Sequence, residues 1–206
     1  MKHIYLVINP AKSQAEILEK LASALQENLY AVQIWDNFTD EEHAQSIIPL
    51  VAQLCQAREV PVLINNRWQY VEPYHLAGVH FDNIPADWEQ IKKNLPNNVI
   101  LGITANNDLK VIEWAEQQKF SYISFCSMFP SVTANSCELV RAETILQART
   151  ITTMPLFVAG GITLDTLPQL QPIHQYFNGI ALVSGVMNAE NPQKALQQYQ
   201  QQLQNW

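Results

Sequence analysis

Short apolar, β-branched runs recur along the chain, separated by longer stretches in which apolar residues return every three or four positions. The runs are IYLVIN (4–9), AVQIW (31–35), VPVLIN (60–65), GVHF (78–81), VILGIT (99–104), YISFC (122–126), PLFVAG (155–160) and GIALVS (179–184). Each has the length of a strand, and most of the intervening segments read as amphipathic helices. Residues 14–29 place Ile17, Leu18, Leu21, Ala22 and Leu25 on one stripe behind a Ser13 cap. Residues 40–57 do the same with Ile47, Ile48, Val51 and Leu54, and residues 107–119 with Leu109, Ile112, Trp114 and Ala115. The last segment, 192–204, is Gln-rich and sets Leu196, Tyr199 and Leu203 at helical spacing, which predicts a helix that packs by one edge.

Strand followed by helix, repeated about eight times, predicts a parallel sheet with right-handed crossovers. A doubly wound sheet usually has fewer strands and often a glycine-rich turn after the first, whereas here the first strand ends in INPAKS (8–13), without glycine. The expected fold is therefore α/β, a single (β/α)₈ TIM barrel over residues 1–206, shorter than the norm of about 250 residues. The crossover between 66 and 78 must then be compressed. No linker, low-complexity tract or short repeat marks a second domain.

Composition narrows the function classes. Of 206 residues, 48% are apolar and 15% charged, enough core and too little charge for a disordered chain. The net charge of −7 disfavours nucleic acid and anionic membranes as partners. Phosphate ligands stay open, because helix N-termini and backbone amides hold them without net positive charge. Cys55, Cys126 and Cys137 are widely spaced and read as reduced thiols, pointing to a cytoplasmic protein. They lack zinc-site spacing. No apolar run has the length of a membrane span, and none has the pattern of a signal peptide.

In a barrel of this kind the active site lies at the C-terminal ends of the strands. That mouth is predicted to be built from 33–37, 65–67, 80–83, 104–107, 127–135, 160–163 and 184–186, a set rich in amides and hydroxyls and poor in charge. Two of its loops follow strands seven and eight, VAGGIT (158–163) and VSGVMNAENP (183–192), where barrels frequently bind phosphate. Gly160 and Gly161 either let the backbone approach such a ligand or only make a tight turn.

Beyond these patterns, the chain resembles the thiamin phosphate synthase and thiazole tautomerase family over nearly its whole length. The resemblance is carried in order and register by QIWDN (33–37), INNRW (64–68), GVHFDN (78–83), LGIT (101–104), CSMFPSVTA (126–134), AGGI (159–162), IALVSG (180–185) and Asn191-Pro192. It implies thiamin biosynthesis and a magnesium-dependent transferase that joins an aminopyrimidine pyrophosphate to a thiazole phosphate. Gln33, Asn65, Asn66 and Thr104 then fall on catalytic positions. Ser131, Thr133, Gly160, Gly161, Ser184 and Gly185, with Arg67 and His80, fall on phosphate- and substrate-binding ones. Metal positions fall on Asn66 and on Asn83 or Asp82, with Mg²⁺ as the cofactor if the transfer runs.

The departures from the family pattern concentrate on one half of the mouth. Trp35 and Asn37 stand in place of Arg and Lys, Asn66 in place of a metal-binding Asp, Ala134 in place of Lys, and Thr104 in place of Ser. Amides without carboxylates are poor magnesium ligands. Ser127 occupies the position of the tautomerase branch's His, and a serine is a poor proton shuttle near neutral pH. His80 is either a substitute for it or a hydrogen-bonded structural residue. Arg67 either meets an anion or pairs with a neighbouring carboxylate.

Three functions stay open at this point: a binder of a small phosphorylated heterocycle with weak transfer chemistry, an active variant synthase or tautomerase-like isomerase, and a non-catalytic regulatory protein. Homo-oligomerisation also stays open.

Overall fold

The structure is a computed structural model describing residues 2–131 and 138–206. Its strands are β1 (His3–Ile8), β2 (Ala31–Ile34), β3 (Val62–Asn65), β4 (Gly78–Phe81), β5 (Ile100–Thr104), β6 (Tyr122–Cys126), β7 (Leu156–Ala159) and β8 (Gly179–Leu182). Each pairs in parallel with its sequence neighbours, and β8 returns to β1 from His3–Gly179 to Leu6–Leu182, closing the barrel. The predicted strands and the observed ones coincide to within a residue or two at each end.

The helices on the outer ring are α1 (Gln14–Ala24), α2 (Glu41–Gln56), α3 (Trp88–Asn94), α4 (Leu109–Gln117), α5 (Ala142–Ile151), the short α6 (Ser184–Met187) and α7 (Pro192–Leu203). Two crossovers depart from α-helix. Between β3 and β4 there is only a 3₁₀ turn, Trp68–Tyr70, as the compressed spacing requires. Between β7 and β8 the chain winds as 3₁₀ over Leu167–Tyr176, where Pro168 and Pro172 remove the amide hydrogens an α-helix would use. Helix α1 stops at Ala24, earlier than its periodicity suggests, because the chain must turn there to deliver Tyr30 N to Ile4 O (2.8 Å).

Alternation along the strands divides the apolar residues into two bodies. The larger lies between barrel and helices, where Leu6, Ile34, Ile64, Ile103, Phe125, Val158 and Leu182 meet Leu21, Ile48, Ile112 and Leu196. The smaller fills the barrel itself with Tyr5, Ala31, Leu63, Tyr122, Phe157 and Ala181. Above this floor the interior turns polar, with Gln33, His80, Asn65 and Ser124 all buried. Among the described residues no helix is long and apolar enough to cross a membrane.

The floor has one tight spot that bears on the site. A Cβ on Gly102 would lie 2.1 Å from the Tyr122 ring, so β5 carries glycine where β6 carries its largest inward side chain. Gly102→Ala must therefore push the Tyr122 ring aside. The expected cost is about 1–3 kcal/mol, as for overpacked cores, read as a lowered urea midpoint with a changed near-ultraviolet tyrosine signal. An unchanged midpoint would show that the ring is not held where the structure puts it.

Candidate functional site

The mouth is founded on a chain of buried polar side chains crossing the barrel from β2 to β5. Tyr5 donates its hydroxyl to Gln33 Oε1 and meets the Tyr122 hydroxyl at 2.9 Å. Tyr122 meets His80 Nδ1 at 2.9 Å, and His80 Nε2 meets Thr104 Oγ1 at 2.9 Å. The His80 and Tyr122 rings stack with centroids 5.6 Å apart. Three predicted site residues, Gln33, His80 and Thr104, are thus linked. Burial draws the imidazole down from 6.5 to about 4, against a smaller upward pull from the Asp82 carboxylate. Burial also pushes both phenols up, so Tyr5 and Tyr122 stay protonated. His80 is thereby a hydrogen-bonded, neutral part of the floor.

Beside this chain, the ends of β3 and β4 are tied by a closed cluster. Asn65 Nδ2 donates to His80 O (3.2 Å) and to Asp82 Oδ1 (3.0 Å), while its Oδ1 accepts from Asp36 N (3.3 Å). Asn66 adopts a left-handed φ of 58°, which asparagine tolerates better than most residues. From there it donates Nδ2 to Asp82 Oδ2 (2.8 Å) and accepts the Asp82 amide hydrogen on Oδ1 (3.0 Å). Both Asp82 oxygens therefore face amide N–H groups.

Arg67 is similarly occupied. Its Nε donates to Asp36 Oδ1 at 2.6 Å, its Nη1 reaches Glu41 Oε2 at 3.4 Å, and its guanidinium lies over the Phe38 ring. The hydrogen bond to Asp36 raises its already high pKa further. Of the two roles open to Arg67, pairing with neighbouring carboxylates is the one it takes. Asn83 lines a cleft of about 770 Å³ whose wall this cluster forms with Asp36, Asn66, Arg67 and Asp82.

Magnesium does not fit this donor set. A hard dication takes oxygen ligands, with carboxylates first. Here one carboxylate, Asp82, has its oxygens engaged by two amides, and Asp36 is engaged by Arg67. Among the described residues no three His, Cys, Asp or Glu side chains gather where an ion would sit.

The opposite side of the mouth is shaped by backbone crossings. Met128 N donates to Ala159 O (2.8 Å) and Phe129 N to Gly160 O (3.1 Å), so the segment after β6 lies directly on the turn after β7. Gly160 (φ 85°) and Gly161 (φ 66°) are required there twice over. Their φ values favour glycine, and a Cβ would fall 2.1 Å from Ser127 Oγ or 2.6 Å from Phe129 O. Ser127 is buried and donates to Phe129 O (2.7 Å), which makes it a strut of this crossing rather than a proton carrier. Gly185 is a packing glycine as well, since its Cβ would meet the Tyr199 hydroxyl at 2.4 Å. Ser131 stands at the rim, half-buried, whereas Thr133 and Ala134 lie outside the described residues.

Ser184 lines a second cleft, about 310 Å³, with Asn9, Lys12, Lys20, Trp35 and Asn37. Lys20 is committed to Glu16 (3.2 Å) and Met187 O (2.9 Å). Sequence reasoning passed over four residues here. Tyr5 and Tyr122 were detectable, because alternation points them inward and a buried phenol needs a partner. Lys12 and Lys20 were not, because nothing in INPAKS or in the helix after it shows that they face the loop following β8.

Comparison with known proteins agrees with this architecture. The family model described as thiamine monophosphate synthase matches residues 4–186. Thiamine-phosphate synthase 2 of Streptococcus pneumoniae is 26% identical over 204 residues, spanning 98% of this chain and 95% of that protein. The thiamine-phosphate synthase of Methanobrevibacter smithii is 23% identical over 192 residues, 93% of this chain and 90% of that one. Among solved structures, thiamine phosphate pyrophosphorylase from Pyrococcus furiosus aligns with a TM-score of 0.83 at 21% identity, covering 98% of this chain and 96% of its own. At that identity the structural likeness speaks for the fold.

The depressed pKa of His80 has a consequence for stability. Between pH 6.5 and about 4 the unfolded chain binds a proton at His80 that the folded chain refuses. Stability from this residue is therefore complete above 6.5, falls as the pH drops through that window, and levels off below it. Denaturant titrations at stepped pH should show this fall, and His80→Gln should flatten it. An NMR titration that protonates His80 near its ordinary value would contradict the burial argument.

Proposed function

We propose that this chain, which belongs to the thiamine monophosphate synthase family, binds a small phosphorylated heterocycle at the C-terminal mouth of its barrel and carries out pyrophosphate-releasing transfer only weakly. The ligand class is a thiazole phosphate or a thiamin phosphate-like molecule. Its phosphate would lie against Ser131, Gly160, Gly161 and Ser184, and its ring over Gln33 and Thr104. Thr133, outside the described residues, would complete the phosphate contacts.

The observation that carries the reading is the cluster Asn65–Asn66–Asp82 beside the Arg67–Asp36–Glu41 group. Loss of a pyrophosphate needs positive charge on the departing oxygens, from a metal or from free cations. In this half of the mouth the carboxylates are matched to amides and to one arginine, so neither source is at hand. An active variant synthase relying on Asp36, Asp82 and Arg67 would first have to dissolve these pairs. A tautomerase would need a proton carrier where Ser127 braces a turn and His80 is held neutral. The close backbone crossings at Gly160 and Gly161, by contrast, support a phosphate site on that side.

The direct test supplies the purified protein with the aminopyrimidine pyrophosphate and the thiazole phosphate, with and without magnesium, and reads thiamin phosphate by fluorescence after oxidation. Measurable thiazole phosphate binding that is indifferent to magnesium, with little product, is expected. Magnesium-dependent product at an enzyme-like rate would overturn the reading.

Restoring charge provides a second check. Asn66→Asp faces the Asp82 carboxylate with a like charge, so it should lower the melting temperature in metal-free buffer and regain it with magnesium, by ligand linkage. Combined with Asn83→Asp and Ala134→Lys, it should raise any synthase rate by about 100-fold or more, since each such charge contact is worth about 3 kcal/mol. No magnesium response and no rate gain would remove the metal half from this mouth.

A further inference from the structure

We propose that Tyr5 and Tyr122 are positioning residues: with Gln33 they run a one-way hydrogen-bond chain that selects the Nδ1–H tautomer of His80 and leaves Thr104 Oγ1 facing the mouth as an acceptor. The direction follows from counting protons. Gln33 turns its carbonyl oxygen to Tyr5, and an amide oxygen can only accept, so the one Tyr5 proton is spent there. Tyr5 then has only lone pairs for its 2.9 Å contact with Tyr122, and Tyr122 must donate. Tyr122 in turn has only lone pairs for His80 Nδ1, which must carry the hydrogen. In a neutral imidazole Nε2 is then a bare acceptor, and the Thr104 hydroxyl fills it with its only proton.

Each link depends on there being one proton per hydroxyl. Tyr5, Tyr122 and His80 are all buried, and burial disfavours the charged form of each, so the counting holds. The two ends of the chain therefore differ in kind. At β2 the Gln33 Nε2 group is a donor, and at β5 Thr104 Oγ1 is an acceptor. A ligand group set against Thr104 must bring an N–H or O–H, and an oxo group there would meet lone pair against lone pair. The two tyrosines thus determine specificity without needing to touch the ligand. Reversing the chain, with the Gln33 amide turned over, would invert every step and give the Nε2–H tautomer.

The consequence for ligands rests on the mouth being the binding site, whereas the tautomer does not, so the experiment reads both. Nitrogen NMR on histidine-labelled, unliganded protein, with the His80 signals assigned through His80→Gln, reports which ring nitrogen carries hydrogen. Nδ1–H is expected, and Nε2–H overturns the proposal. In Tyr122→Phe the ring still fills the space beside Gly102, but Nδ1–H loses its acceptor, and the population should move to Nε2–H donating to Thr104. A folded variant that keeps the Nδ1–H signature overturns the role of Tyr122. If Tyr122→Phe does not fold, Tyr5→Phe is read the same way, since it frees the Tyr122 proton to reverse.

Binding is compared with 4-aminopyrimidine and 4-methoxypyrimidine, which differ in that only the first carries an N–H donor. The wild type should favour the amino probe by about tenfold or more, the value of one buried mismatch, and Tyr122→Phe should lose that preference. Equal affinity of the wild type for both probes overturns the specificity claim. Binding of neither counts against the mouth as the ligand site, and the tautomer then decides the direction of the chain alone.

Discussion

A closed parallel barrel leaves its inward side chains one route to water, through the mouth, so each polar atom placed below the rim must find a partner inside. The other features of this site follow from how that demand is met. Tyr5, Gln33, Tyr122, His80 and Thr104 satisfy one another in a line from β2 to β5. Gly102 makes room for the ring at the centre of the line. The rim residues are set on this floor, and their freedom to reach a ligand depends on what the floor has already claimed.

The same accounting governs charge. At the ends of β3 and β4 an aspartate is matched by two asparagine amides, and an arginine by two carboxylates and an aromatic face. Such groups are stable because their partners are supplied within the chain, and for that reason they have little left to offer a metal or a departing anion. Across the mouth the described segment after β6 crosses the turn after β7 through backbone hydrogen bonds, with glycines at the crossing. Backbone crossings keep a shape without consuming side-chain charge. The two halves of the mouth therefore differ in kind, one held by paired side chains and the other by backbone crossings.

Much of this was legible in the sequence. Short β-branched apolar runs and period-3.6 patterns predicted the eight strands and most of the helices, because buried strands are apolar throughout and each helix has one face to bury. The short spacing between 66 and 78 already required a compressed crossover, and Pro168 and Pro172 accounted afterwards for the 3₁₀ winding of another. The mouth residues were also legible, since strand ends in a barrel converge by topology alone. Which of them were free was not. Asn66 reads as a lost carboxylate, yet in the fold it braces the β3 and β4 loops. Arg67 reads with equal right as an anion contact or an ion-pair partner, and Asp36, 31 positions away, decides between these. Ser127 and Gly185 look like ligand-facing residues until Phe129 and Tyr199 are seen beside them.

The sequence by itself determined the barrel, the membership of its rim and the shift of that rim from charge toward amides and hydroxyls. These are properties of local pattern and residue type, which need no partner to be read. The tertiary structure alone decided the commitments: the linking of the interior hydrogen-bond chain, the capture of Asp82 and Arg67, and the crossings that demand Gly160 and Gly161. Those depend on atoms brought within about 3 Å of each other from strands far apart in the chain, and a hydrogen bond exists only at that distance.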